Sequence, residues 1–182
     1  DIDIGVFENP SLNIVSDVLQ KTGKFTQKPD NYSRQNRVSL TVVHNNGTPF
    51  DIYQHQDSGK YYRVENFNPG CSFVRRFTRF GLKPVSFLGT TFNIPNNPEL
   101  YLTELYGNDW HIPNPFFDSR VSSMNMEPGM EIISKCYAYC RIGGALERSD
   151  TERALAYCDQ VLDRFPDDEI ALEVQNSQKC LN

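Results

Sequence analysis

Apolar and polar residues keep two different rhythms along this chain. At the start, Ile2, Ile4 and Val6 alternate with Asp1, Asp3 and Gly5. Alternation of this kind is a strand, in which residues i and i+2 point to the same side. It predicts that Asp1 and Asp3 project together while Ile2, Ile4 and Val6 face a core. Asn9-Pro10 then suits the opening of a helix, since Pro is tolerated in the first turn. Leu12, Val15, Val18 and Leu19 follow at helical spacing, and Gly23 is the stop. From Val38 to Val43 the residues are apolar or β-branched. Asn45-Asn46-Gly47 and then Phe50-Asp51-Ile52-Tyr53 complete a hairpin, the Asn-Gly pair supplying positive φ angles to its turn. Asp57-Ser58-Gly59 turns the chain into Lys60–Val64, so three strands form a meander. Val85–Ile94 reads as one strand bent at Gly89, and Pro98–Tyr106 as a short helix closed by Gly107.

Beyond Ile112-Pro113-Asn114-Pro115 the period is helical only. Ile133, Cys136, Tyr137 and Cys140 form one stripe, which places both cysteines in a core. Ser149-Asp150-Thr151-Glu152 resembles a capping box. Leu155, Cys158, Val161, Leu162 and Phe165 form a second stripe, ended by Pro166, and Asp167 is placed to cap a third helix. The expected fold class is α+β: a mixed or antiparallel sheet followed by a C-terminal helical hairpin or triplet. The change of period puts a boundary near residues 119–127, between a domain at 1–118 and a helical tail at 127–182. Ala154, Cys158, Val161 and Pro166 give the tail a faint tetratricopeptide look, although only one repeat's worth is present.

Composition narrows the class. The 182 residues are 38% hydrophobic and 12% aromatic, enough for one good core. The formal charge of −5, without any basic run, argues against nucleic acid as a partner. No apolar stretch is long enough to cross a bilayer and no signal peptide is visible. The five cysteines are odd in number and sit late, which favours reduced thiols in a cytoplasmic setting over a disulfide framework. The first residue is Asp, so the chain reads as an excised or processed piece of a longer protein.

By itself Asp1-x-Asp3 is most often the wet face of an amphipathic strand. A third carboxylate changes the weight of it: Asp51 stands between Phe50 and Ile52, where strand propensity disfavours Asp. A metal is one way to satisfy it, and an exposed place beside the hairpin turn is the other. Hard oxygen ligands so disposed suit Mg²⁺ or Mn²⁺.

These residues also fall in the order of a known family. Asp1-Ile2-Asp3-Ile4-Gly5 resembles the carboxylate motif of the LicD/fukutin group within the DNA-polymerase-beta-like nucleotidyltransferase superfamily. Thr48-Pro49-Phe50-Asp51-Ile52-Tyr53 resembles its second block. Leu88-Gly89, Phe92-Asn93-Ile94-Pro95, Pro98–Leu102 and Tyr106-Gly107-Asn108-Asp109-Trp110-His111-Ile112-Pro113 are similar to its closing block. The resemblance spans residues 1–113 and leaves the tail out. It implies a nucleotidyltransferase-like core without its N-terminal half, since the family's helix and Gly-rich phosphate turn belong before the acidic strand. It also implies a metal-dependent transferase that moves a phospho-substituent, phosphocholine or a polyol phosphate, from a CDP-activated donor to a glycan. Asp1, Asp3 and Asp51 would then hold Mg²⁺ or Mn²⁺, and Asp51 would serve as ligand or as base for the acceptor hydroxyl.

Other candidates carry less signal. Arg75, Arg76 and Arg79 lie among Phe73, Phe77 and Phe80, with Lys83 following; Arg76 and Lys83 are the ones assigned to a diphosphate, against a solvated face as the alternative. His55 is placed to reach substrate, or is simply exposed near a turn. Trp110 would stack on a base or sugar, or anchor its own block. Against the enzyme stands a reading of another class, a non-catalytic scaffold whose helical tail binds a protein partner.

Overall fold

The computed structural model describes residues 2–7, 11–27, 38–68 and 71–179. Asp1 and the Asn9-Pro10 helix start lie outside these residues. The described chain is α+β and divides into two compact units, Asp1–Pro98 and Glu99–Asn182.

The first unit holds the strands β1 (Ile2–Phe7), β2 (Phe25–Gln27), β3 (Ser39–His44), β4 (Pro49–Asp57), β5 (Tyr61–Asn68) and β6 (Cys71–Thr78) and one helix, α1 (Leu12–Lys21). Its main sheet runs β2-β3-β4-β5-β6 with antiparallel neighbours, and β1 joins β4 in parallel. Tyr53 has Gly5 on one side and Ser39 on the other, and His55 has Phe7 and Val64. So β1 follows one edge of β4, while β3 and then β5 follow the other. The meander is one strand longer than the turn signals predict, because β6 pairs with β5 along its length.

Helix α1 covers one face of this sheet. Leu12, Leu40, Val42 and Ile52 are buried together, with Val6, Val15, Leu19, Phe25 and Phe50 packed against them. Each such fully buried aliphatic side chain is worth about 1.5–3 kcal/mol. Val18, the third member of the predicted stripe, is exposed, as are Ile2 and Ile4. Of Ile2, Ile4 and Val6, only Val6 reaches the helix-covered core. Gly23 closes α1 as expected, with φ +69° and its N–H donating to the Gln20 carbonyl at 2.9 Å.

Two turns differ from expectation. In the β3–β4 connection only Gly47 has positive φ, at +90°. The His44 N–H donates to the Thr48 carbonyl at 2.9 Å, which closes a loop of three residues, 45–47, and a single left-handed residue is enough for that geometry. Val85–Ile94 is not one bent strand. It is a separate two-stranded hairpin, β7 (Leu82–Phe87) and β8 (Thr90–Pro95), turned at Leu88-Gly89, both of which have positive φ. Leu in that conformation is uncommon, and the pattern Leu-Gly gives no warning of it.

The second unit contains α2 (Pro98–Tyr106), α3 (Ser119–Ser122), α4 (Glu131–Glu147), α5 (Thr151–Leu162) and α6 (Glu169–Lys179). Its start at Glu99 precedes the change of period at 119–127. The loop from 107 to 118 belongs with the helices: the Gln160 amide donates to the Phe116 carbonyl at 3.1 Å and Arg141 to Asp118 at 2.8 Å. The core joins Val121, Ala138, Ile142, Tyr157, Cys158, Val161 and Ala171. The buried line of α4 is Ser134, Ala138, Ile142 and Ala145, so Cys136 and Cys140 are exposed rather than core. Small residues win that face because they let α4 and α5 approach closely. Cys158, by contrast, is buried, and burial pushes its thiol up to about 11. The caps also shift by one residue. Asp150, not Ser149, accepts from the Arg153 N–H, and Asp168, not Asp167, accepts from the Ala171 N–H.

Candidate functional site

Pleating sorts the sheet of the first unit into two chemically different faces. Phe50 and Ile52 point toward α1, so Asp51, Tyr53 and His55 point the other way. Parallel pairing puts Asp3 beside Asp51 and Gly5 beside Tyr53, while antiparallel pairing puts Thr41 on Asp51's far side. The result is a row across three strands, Thr41–Asp51–Asp3, a hydroxyl and two carboxylates at strand spacing of about 4.8 Å. The Thr41 hydroxyl donates to Asp51 Oδ1 at 2.5 Å and fixes that carboxylate.

The Asp3 carboxyl is held above its ordinary range, first by loss of hydration and then by repulsion from Asp51, with Arg75 pulling the other way. Tyr53, next along β4, has its phenol raised by burial and by both carboxylates. It therefore stays protonated and able to donate. Arg75 reaches this face from β6: it pairs with Val64, whose own partner on β4 is His55. Arg75 is buried, donates to Asn66 Oδ1 at 2.9 Å and lies 5.9 Å from the Tyr53 ring centroid. Two acids, a phenol and a buried guanidinium thus share one face.

The sequence-predicted site residues distribute unevenly. Asp3 and Asp51 come together; Asp1 lies outside the described residues. Arg76 pairs with Arg63 and takes the opposite side of β6 from Arg75. It sits 5.6 Å from the Tyr61 ring. Arg79 is paired with Asp57. Lys83 stands on the separate β7–β8 hairpin opposite Ile94. Trp110 belongs to the second unit, partly exposed and edge-on to His111.

His55 is on the acidic face but is neither exposed nor charged. Its ring is only 6% exposed, boxed by Phe7, Tyr62, Phe77 and Phe80 at centroid distances of 6.3, 6.3, 5.8 and 5.7 Å. Burial drives its pKa from 6.5 down to about 4. A Cβ added at Gly5 would stand 2.8 Å from the ring's Cε1, so Gly5 is the residue that lets the imidazole lie flat against β1.

Thr41, Tyr53 and Arg75 carry no motif. Arg75 had a signal in Phe73-x-Arg75-x-Phe77, since alternation along a strand forces an Arg between two buried rings onto the same face. Thr41 had one in the hairpin register, which fixes what lies opposite Asp51.

Among the described residues no group of three or more His, Cys, Asp and Glu side chains gathers as a complete metal cage. The chemistry present fits a dication all the same. Asp3 and Asp51 are hard oxygen donors, side by side, and Asp3 is protonated more readily than a free carboxyl because burial and the Asp51 charge outweigh the pull of Arg75. Comparison with protein-family models, curated proteins and solved structures finds no match to this chain. Among the described residues no helix is long and apolar enough to cross a membrane.

Proposed function

We propose that this chain is part of a metal-dependent transferase of the LicD/fukutin type, moving a phospho-substituent from a CDP-activated donor to a glycan acceptor. The observation that supports it best is the register of β1 on β4, which sets Asp3 against Asp51 and leaves Asp3 with a raised pKa. Asp3 and Asp51, with Asp1, would hold Mg²⁺ or Mn²⁺, which when bound neutralises a diphosphate and its leaving group. The chain's own residues do the rest. Thr41 fixes Asp51 in one orientation, and the remaining lone pairs of Asp51 face the site as ligand or as acceptor of the glycan hydroxyl's proton. Arg75 supplies a fixed positive charge to the same face, and Tyr53 a protonated donor.

The test separates a functional pair from a structural one. Without metal, Asp3→Asn relieves repulsion and is expected to be as stable as the parent or slightly more so. With Mn²⁺ at 100 times its Kd, the parent gains about 2.7 kcal/mol and the variant loses that gain. Mn²⁺ affinity in the parent falls as pH drops through the raised Asp3 pKa, because the ion needs the ionised form. Asp51→Asn abolishes CMP release from CDP-choline or a CDP-polyol donor. Undiminished Mn²⁺ stabilisation in both variants, or undiminished CMP release, would rule the proposal out.

A further inference from the structure

The second unit contains a cavity of about 320 Å³ whose chemistry is independent of the acidic pair. Asp118, Cys140, Arg141, Gly144, Arg148, Arg153 and Tyr157 line it. The volume is that of a small-molecule site. The arrangement follows from helix geometry. Arg141 and Gly144 stand at i and i+3 on α4 and Arg148, at i+7, is its C-cap, while Arg153 and Tyr157 stand at i and i+4 on the first turns of α5. Between the two helices, Ser149 takes φ +57° and the N–H groups of Ser149 and Asp150 donate to Leu146 and Ala145 at 2.9 Å each. That Schellman turn folds α5 back so that its basic residue meets those of α4.

Three guanidiniums in one cavity are unusual in a chain of net charge −5. Two of them are oriented from behind. Arg141 donates through Nε to Asp118 Oδ2 at 2.8 Å and Arg153 through Nε to Asp150 Oδ2 at 2.9 Å, which leaves their terminal nitrogens for other acceptors. Arg153 also lies 5.4 Å from the Phe116 ring centroid and donates to the Tyr157 hydroxyl oxygen. Among the described residues Arg148 has no carboxylate within ion-pair distance. Its Nη1 lies 3.4 Å from where a Cβ of Gly144 would be. A mid-helix Gly costs about 1 kcal/mol against Ala, and here the space it leaves is where the Arg148 fork rests.

We propose that this cavity binds the phosphate group of a small phosphorylated molecule. A carboxylate has two oxygens and one charge, which match one bidentate Arg, whereas a phosphate monoester offers three acceptor oxygens and up to two charges to three forks. Binding leaves the Arg141–Asp118 and Arg153–Asp150 pairs in place and gives Arg148 its counter-ion.

The experiment is a titration of the full 182-residue chain, followed by amide NMR, with inorganic phosphate and with glycerol phosphate. Acetate at matched ionic strength is the control. Saturable shifts at Gly144, Arg148 and Arg153 are expected with both phosphates and not with acetate. Arg148→Ala should weaken phosphate at least tenfold with the helical spectrum unchanged. Arg148→Lys, which keeps charge but not the fork, should fall between the two. A parent that gives no saturable shift, a response to acetate equal to that to phosphate, or an Arg148→Ala affinity equal to the parent's would each overturn the assignment.

Discussion

His55 makes the first unit acid-sensitive between pH 6.5 and about 4. In the unfolded chain its imidazole takes a proton near 6.5; in the folded chain burial among four aromatic rings delays that to about 4. The folded pKa is depressed, so the stabilising contribution is complete above pH 6.5 and is lost as pH falls toward 4. At pH 4.5 the unfolded imidazole is almost fully charged and the folded one mostly neutral, a difference of about 2.5 kcal/mol against the unfolded state. The backbone hydrogen bonds at Tyr53 and Val6 favour the charged ring and already temper the shift. The perturbation is His55→Phe, an aromatic ring for the same box that does not titrate. The assay is hydrogen exchange at β4 amides of parent and variant, compared at pH 7.0 and pH 4.5. Whatever the variant's stability at neutral pH, it should lose about 2.5 kcal/mol less than the parent on acidification. Equal losses in the two proteins, or a parent imidazole that titrates near 6.5 by NMR, would refute a buried neutral His55.

Three further outcomes follow from the same contacts. Gly5→Ala places a methyl 2.8 Å from a ring that is wedged by Phe7, Phe77 and Phe80, and overpacking of this kind should cost the first unit roughly 1–3 kcal/mol in urea unfolding. Asp168→Asn removes the charge that receives Lys135 at 2.5 Å and the Tyr139 hydroxyl at 2.6 Å and caps α6. About 2–3 kcal/mol should go from the second unit, read by its Trp110 fluorescence. Burial raises the Asp168 pKa, but those three donors outweigh it and hold the carboxyl below its usual range. Its contribution is therefore present at neutral pH and disappears as pH falls through that lowered pKa, and Asp168→Asn should flatten the acid limb of the second unit's unfolding. Ser149→Gly relieves a left-handed serine at the α4–α5 turn and should raise stability by about 0.5–1 kcal/mol, measured by thermal unfolding, while leaving the Arg148 cavity unaltered.

The order of elements was readable because local chemistry writes it. Gly23, Gly47, Gly59 and Gly107 all sit where positive φ is needed, and each ends a segment that the periodicity had already outlined. Asp51 was legible as an anomaly, a charge between Phe50 and Ile52. The errors came where two local readings were equally good. An Asp stands at both 167 and 168, and which one caps α6 depends on the Lys135 and Tyr139 side chains waiting at the second position. On α4 the stripe through Cys136 and Cys140 is as regular as that through Ser134, Ala138 and Ile142, and only the approach of α5 selects the line with smaller residues.

The sequence by itself determined which residues could form strands or helices, where the turns marked by Gly23, Gly47, Gly59 and Gly107 fall, and that acids begin the chain and recur at position 51. Pairing was decided only by the tertiary structure. The parallel docking of β1 on β4 brings Asp3 to Asp51, a meeting of residues separated by a helix and a hairpin that no local pattern encodes. The register of β6 sends Arg75 rather than Arg76 to that face, and the Schellman turn brings Arg153 to Arg141 and Arg148. The physical reason is the same each time. Side-chain direction along an element follows from local geometry, but which face meets which depends on long-range packing, and one residue of slip would exchange the acidic face for the apolar one.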